Sequence, residues 1–263
     1  MDFPALLDVA ATYLGDRPSV ASPGVEPGKT ASNRDRRTAG RKLFRYGQPT
    51  RGTLAEQYLR GRDIGRFSSS LAFHPRAYLR ADDGSRMEFP ALLAAIKDNR
   101  GEITGCARTF LDSRTAGLAN INSPKRVLGD LHGNGIRMGL WCEAADQIVG
   151  EGLENVLSIG TVFPTAALTS CLTANHLAGF QWPSTAVRLW VAHDNDDAGI
   201  RAATSLQSRA VTAGLDAFLL CPLRDDFNTD LQKDGVTMLR HRLEGVISQQ
   251  CPLHDLWPMH HAA

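Results

Sequence analysis

Val187-Arg188-Leu189-Trp190-Val191-Ala192-His193-Asp194-Asn195-Asp196-Asp197-Ala198-Gly199 is the stretch that decides the fold. A strand-type run ends in clustered carboxylates, and a helical pattern follows in which Ile200, Ala203, Leu206 and Ala210 share one face. Working outward, an earlier strand near Gln147–Val149 ends in Gly150-Glu151-Gly152, and a later one near Ala217–Cys221 leads to Asp225-Asp226-Phe227-Asn228. A further strand is expected near Ala166–Thr169, with helices over Leu153–Ile159, Ala174–Phe180 and Ala198–Ala213. Strands alternating with helices from Asp146 onward predict an α/β fold, a parallel sheet with crossover helices. In such sheets ligands gather at the carboxyl ends of the strands, where these acids stand.

Two neighbouring strands would bring Glu151, Asp194 and Asp196 together. Like charges about 4 Å apart repel by about 4 kcal/mol at an effective dielectric of 20, so the group either takes up protons or holds a cation. Mg²⁺ or Mn²⁺ suits the set, because a hard cation prefers carboxylate and water oxygens and keeps open positions for substrate phosphates. Three other readings compete. The aspartates can cap the following helix, a role that an isolated Asp-x-Asp fills about as readily. A calcium-binding EF-hand fits Asp194, Asp196 and Gly199 but fails at Ala198 and Ser205, where further ligands belong. A receiver domain gathers acids in the same way but gives no reason for a basic N-terminal half.

That basic half is hidden in the total. The 263 residues carry a net charge of only +1, yet residues 29–66 hold eleven Lys or Arg against three acids, a balance of +8 that leaves −7 elsewhere. Arg34, Arg36, Arg37, Arg41, Lys42 and Arg45 are interleaved with Phe44 and Tyr46, a composition for phosphate contacts with aromatic stacking; the plainer reading is a solvated tether. Before them, Phe3–Leu14 reads as an amphipathic helix and Arg17–Thr30 as a Pro- and Gly-rich linker. Gly24–Thr30 has three residues between its glycines where a phosphate-binding P-loop needs four. Thr53-Leu54-Ala55-Glu56 is a capping box opening a short helix that Gly61 ends. From Leu71 to Gly139, short apolar runs separated by turns predict an α+β region, with Asp98–Gly101 joining two strands.

The composition, 43% hydrophobic and 22% charged, is that of a globular chain. No apolar run approaches the roughly 20 residues of a membrane span and no basic secretory start is present, so the cytoplasm is expected, with no membrane partner. Five scattered cysteines suggest neither a disulfide framework nor a zinc finger. Tyr13, Tyr46, Tyr58 and Tyr78 suit packing or stacking better than nucleophilic attack.

Glu151-Gly152, Asp194-Asn195-Asp196 with Ala198-Gly199, and Asp225-Asp226-Phe227-Asn228 together resemble the Toprim catalytic domain shared by bacterial-type primases, topoisomerases and certain nucleases. Upstream, Asp98–Gly105, Arg108 and Asn122-Ser123-Pro124 are similar to the region preceding Toprim in bacterial-type primases. Thr53–Gly61, Phe73-His74-Pro75, Arg108-Thr109 and Leu128-Gly129 resemble Toprim-containing primase-like proteins of phages, plasmids and integrated elements.

The resemblance implies a DNA primase-like nucleotidyltransferase that makes oligonucleotides from NTPs or dNTPs on a single-stranded DNA template, alone or with a helicase or other replication protein. By it Glu151 is the catalytic acid or base, Asp194 and Asp196 bind Mg²⁺ or Mn²⁺, Asp226 is a further ligand, and Glu154 and Asp197 assist. Arg108, Lys125, Arg126 and Arg137 are the candidates for NTP and template contacts, each more often a surface charge when taken alone. The expected organisation is a helix and basic arm over 1–49, a primase-like α+β subdomain over 50–145, the Toprim domain over 146–240 and a tail over 241–263. A Toprim nuclease and a non-catalytic accessory protein remain as alternatives.

Overall fold

A computed structural model describes residues 32–80 and 84–250. Its elements are α1 (Asn33–Arg45), α2 (Leu54–Arg60), β1 (Leu71–Arg80), β2 (Arg86–Lys97), β3 (Ile103–Phe110), β4 (Lys125–Gly129), β5 (Ile136–Met138), β6 (Asp146–Gly150), α3 (Leu153–Val162), β7 (Leu168–Ser170), α4 (Ala174–Ala178), β8 (Arg188–Ala192), α5 (Asp197–Thr212), β9 (Asp216–Leu220) and α6 (Phe227–Gln250). The Phe3–Leu14 helix and the linker after it lie outside the described residues.

The basic segment is not a tether. Ser32 and Asp35 form a capping box that starts α1, and the helix docks through Gly40. A Cβ at that position would collide with the Leu128 carbonyl of β4, so only glycine lets α1 approach β3 and β4 this closely. At α2, Thr53 Oγ1 accepts from Ala55 N, while the Glu56 carboxylate accepts from Gly52 N at 2.6 Å, one residue before the expected partner. Strands β1 to β4 form an antiparallel meander in sequence order, with Asp98–Gly101 in the β2–β3 hairpin. Pro75 sits at the register break of β1, where no ladder donor is needed.

The second sheet has the order β5-β7-β6-β8-β9; β7, β6, β8 and β9 run parallel and β5 is antiparallel to β7. From β6 the chain crosses to β7 on one side, then returns past β6 to β8 on the other, so the connections diverge between β6 and β8. That divergence opens a crevice at their carboxyl ends. Side chains alternate between faces as strand geometry demands. Ile148 and Trp190 enter a core with Val156 of α3, Leu231 of α6 and Leu92 of β2, while Val149 and Val191 face Ala203 and Leu206 of α5. The first of these cores is shared by the two sheets, so each supports the other. Residues 241–250, expected to begin a tail, continue α6, whose backbone breaks at Gly235 with φ +77°.

Candidate active site at the carboxyl ends of the parallel strands

In-register pairing of Gly150 with Ala192 puts Glu151 and Asp194 one and two residues beyond adjacent strand ends. Glu151 is half-buried in the β6–α3 loop, and its carbonyl accepts from Leu172 N at 2.7 Å and Ser170 Oγ at 2.8 Å. Burial, followed by the negative charges of Asp194 and Asp196, raises its carboxyl to about 7. Burial and then Asp226 likewise push Asp194 up, against the opposing pull of the Asn155 amide. The four carboxylates therefore feel one another across three strand-end loops. Among the described residues, no three His, Cys, Asp or Glu side chains converge tightly enough to form a ready cage. The reason is visible in their partners: Asp194 accepts from Asn155 Nδ2, Asp196 Oδ1 caps α5 through Gly199 N at 2.7 Å, and Asp226 Oδ1 accepts from Thr229 N at 2.6 Å. Capping and cation binding are compatible, because one accepted hydrogen bond leaves most of a carboxylate's lone pairs available. All-oxygen donors carrying excess negative charge fit a hard divalent cation. Gly199 belongs to the same design, since a Cβ there would lie 2.6 Å from the Asp194 carbonyl.

Other candidates separate. Asp197 is exposed, with Arg201 at 4.0 Å, and stands outside the group. Glu154 is neither a surface acid nor a member of the cluster: it is buried, accepts from Tyr58 Oη at 2.6 Å and pairs with Lys125 Nζ at 2.8 Å. Burial alone would raise its carboxyl, but Lys125 and Tyr58 hold it low. Of the basic residues, Arg108, Lys125 and Arg126 line a cavity of about 140 Å³ whose far wall is Gly152, Leu153 and Leu172. Arg108 is 8% exposed; one guanidinium arm donates to the Tyr78 carbonyl, and its Nε has no partner. Arg126 also holds the Asn122 and Ser123 carbonyls at 3.0 and 3.2 Å.

Arg137 corrects the expectation. It is fully buried, bonded to the Lys97 and Gln181 carbonyls and stacked between Trp141 and Phe180, so it braces the fold and presents nothing to a phosphate.

Sequence reasoning missed Asn155, which links Asp194 to Asn228 N; Asn228 in turn holds the Arg62 carbonyl and Ser158 Oγ. The signal was its position in the first turn of the helix that follows Glu151. Leu172 was missed too: its φ of +69° is strained for a branched side chain, and it lies against both Glu151 and the cavity. Asn155→Ala should lower activity about 10- to 100-fold at fixed divalent-ion concentration, with partial recovery at higher concentration, because a group that orients a ligand is lost and the ligand remains. Unchanged activity in a metal titration would remove Asn155 from the site.

Glu151→Gln should stabilise the metal-free protein. A carboxyl raised from 4.5 to about 7 makes the folded state bind more protons than the unfolded state across that window. Wild-type stability in EDTA therefore falls, relative to the variant, as pH rises from 4.5 to 7, then levels off. Discounted for partial exposure, the difference above pH 7 is about 1 kcal/mol, or roughly 2–4 °C in Tm. Melting curves at several pH values test it, and a variant that melts below wild type at pH 8 would contradict the electrostatics.

Carboxylates at the switch point of this parallel sheet, preceded by a basic antiparallel subdomain, give the described residues a primase-like fold. The Toprim family matches residues 146–237, and a family described as a domain of unknown function, DUF7146, matches residues 34–138. No curated protein matches the chain in sequence. A DNA primase domain from Pseudomonas aeruginosa is similar in structure, with TM-score 0.56 and 15% identity over 82% of this chain and 78% of that one. The DnaG catalytic core gives TM-score 0.56 and 17% identity over 80% and 79%. The Aquifex aeolicus primase, with its zinc-binding and RNA polymerase domains, gives 0.55 and 17% over 92% and 66%.

Proposed function

We propose that the chain is a DNA primase-like nucleotidyltransferase that extends a 3′-hydroxyl from NTPs or dNTPs on single-stranded DNA, with Mg²⁺ or Mn²⁺. The observation that carries this reading is the β6–α3 loop, in which Glu151 belongs to the Glu151–Asp194–Asp196–Asp226 group while the next residue, Gly152, lines the Arg108–Lys125 cavity. A divalent cation held by Asp194 and Asp196, with Asp226, would neutralise charge developing on the transferred phosphoryl group. Glu151 stands beside them to take the proton from the attacking hydroxyl at its carboxylate. Asn155 fixes the orientation of Asp194. Arg108, with an unpartnered Nε, and Lys125, whose side chain is 52% exposed even while paired to Glu154, are the groups for NTP phosphate oxygens. The first-turn amides of α3 have no side-chain cap and add donors on the same wall of the cavity.

The test is synthesis of labelled oligonucleotides on single-stranded DNA with NTPs or dNTPs, in Mg²⁺ and in Mn²⁺, comparing wild type with Asp194→Ala and Asp196→Ala. Product that disappears in both variants supports the reading. Template degradation without product transfers the same acids to a nuclease, and neither activity favours an accessory role or a missing helicase-type partner.

A further inference from the structure

The cavity that Lys125 lines also contains an acid. Glu154 stands in its wall, among Leu92, Ala94, Val127 and Leu172. A carboxylate is out of place where phosphate is received, since like charges repel. Its position in the first turn of α3 does not explain it, because an acid there suits the helix dipole equally well from solvent. Instead the side chain is 8% exposed, and one oxygen, Oε1, takes both the Tyr58 hydroxyl of α2 at 2.6 Å and the Lys125 ammonium of β4 at 2.8 Å. Tyr58 is itself 4% exposed; burial and then the Glu154 charge push its phenol up, so it stays protonated and keeps donating. The Arg62 guanidinium lies over the same ring, 5.0 Å from its centroid. Glu154 is therefore an ionised carboxylate fixed from inside the fold.

Lys125 is the partner free to turn. It begins β4, the edge strand of its sheet, and its side chain is 52% exposed. An ammonium has three donors, and Glu154 engages it from one side. The pair is asymmetric: the buried anion cannot be left unpaired without a large cost, whereas the half-exposed cation can meet a second anion.

We propose that Glu154 is a positioning residue acting through Lys125, a built-in anion that holds the ammonium at the cavity wall and shares it with an incoming polyphosphate, so that the phosphates are held loosely and pyrophosphate is released. The inference rests on the proposed function for the phosphate-bearing ligand and adds a limit on its affinity. Such a limit serves turnover, because binding energy shared equally by ground state and transition state does not raise kcat, and a tightly held product slows release.

Calorimetry of the full chain with inorganic pyrophosphate in EDTA tests the role without metal or synthesis. Glu154→Gln keeps an acceptor for Tyr58 and removes the charge, so it should tighten pyrophosphate binding about fivefold, and Lys125→Ala should weaken it by a similar factor. Tyr58→Phe loosens the same contact but leaves the charge, and should not tighten binding; tightening in both would trace the gain to loosened packing and overturn the proposal. In synthesis, Glu154→Gln should lower KM for NTP and kcat together, with stronger inhibition by added pyrophosphate. Wild type gives a second readout, because the Lys125 ammonium resonance should shift as pyrophosphate is added, and no shift would overturn the sharing. A Glu154→Gln protein that binds pyrophosphate no more tightly than wild type, including the case in which neither binds, also overturns it. If that variant fails to gain while Lys125→Ala loses binding, the phosphate site stands and the role of Glu154 falls. If it gains while wild type synthesises no oligonucleotide, the role of Glu154 stands and the polymerising reading falls.

Discussion

Asp194→Ala and Asp196→Ala are each expected to reduce oligonucleotide synthesis at least about 100-fold, the scale of losing a main electrostatic contributor to a transition state. The two positions differ in mechanism. Asp194 is half-buried between Glu151 and Asp226 and has its carboxyl raised, so its removal also relieves repulsion. Asp196 is exposed and caps α5, so its removal additionally costs about 1 kcal/mol of helix stability. A thermal readout divides the contributions. Saturating Mn²⁺ at about 100 times its Kd should stabilise wild type by about 2.7 kcal/mol, roughly 5 °C or more in Tm, and the response should vanish in Asp194→Ala. In EDTA, Asp194→Ala should melt no lower than wild type, whereas Asp196→Ala should melt lower. An Asp194→Ala enzyme with a tenth of wild-type activity would remove Asp194 from the chemistry.

Asp230→Ala is expected to be the most destabilising of the acidic substitutions, by about 3 kcal/mol, which lowers Tm by roughly 10 °C. Asp230 is fully buried; it accepts from Leu223 N at 2.8 Å, Arg224 N at 3.1 Å and the Arg224 guanidinium, and it pairs with Arg242. Asp234 holds the other side of Arg224 at 2.8 Å. Removing the carboxylate leaves two amides without their acceptor and takes one acceptor from each guanidinium, Arg224 keeping Asp234 and Arg242 keeping the Cys221 carbonyl; both arginines are also partly solvated, which keeps the loss at the lower end for broken buried pairs. Because this clasp shapes the loop carrying Asp225 and Asp226, synthesis should also fall. Asp225→Ala, at an exposed position, should change stability by less than 0.5 kcal/mol. Chemical denaturation of the two variants separates these expectations, and equal effects would contradict the assignment of Asp230 as the clasp.

The parallel half was legible because its strands are short, apolar and punctuated. Gln147–Val149, Val187–Ala192 and Ala217–Cys221 each lie within a residue of an observed strand, and the acids fall just past two of their ends. Hydrophobic periodicity carries that information locally. Arg137 shows the limit: an arginine in an apolar stretch has the same letter whether it meets phosphate or stacks between Trp141 and Phe180, and only partners distant in sequence decide. Glu154 is the same case with opposite charge, a first-turn acid that Tyr58 and Lys125, from other elements, take inside. The α1 segment leaves a solvated tether open beside a phosphate-contacting arm because nine of its residues are charged, alanine or glycine, and its docking depends on Gly40 meeting a carbonyl of β4.

The sequence by itself determined the order of strands and helices, the position of the carboxylates at strand ends and the concentration of positive charge before residue 67, since each follows from periodicity, propensity and charge along the chain. Only the tertiary structure decided which acids share a field, which of three neighbouring aspartates becomes a buried clasp, and which arginines face a cavity or the core. These outcomes depend on contacts between segments tens of residues apart, where burial and pairing give the same side chain opposite roles.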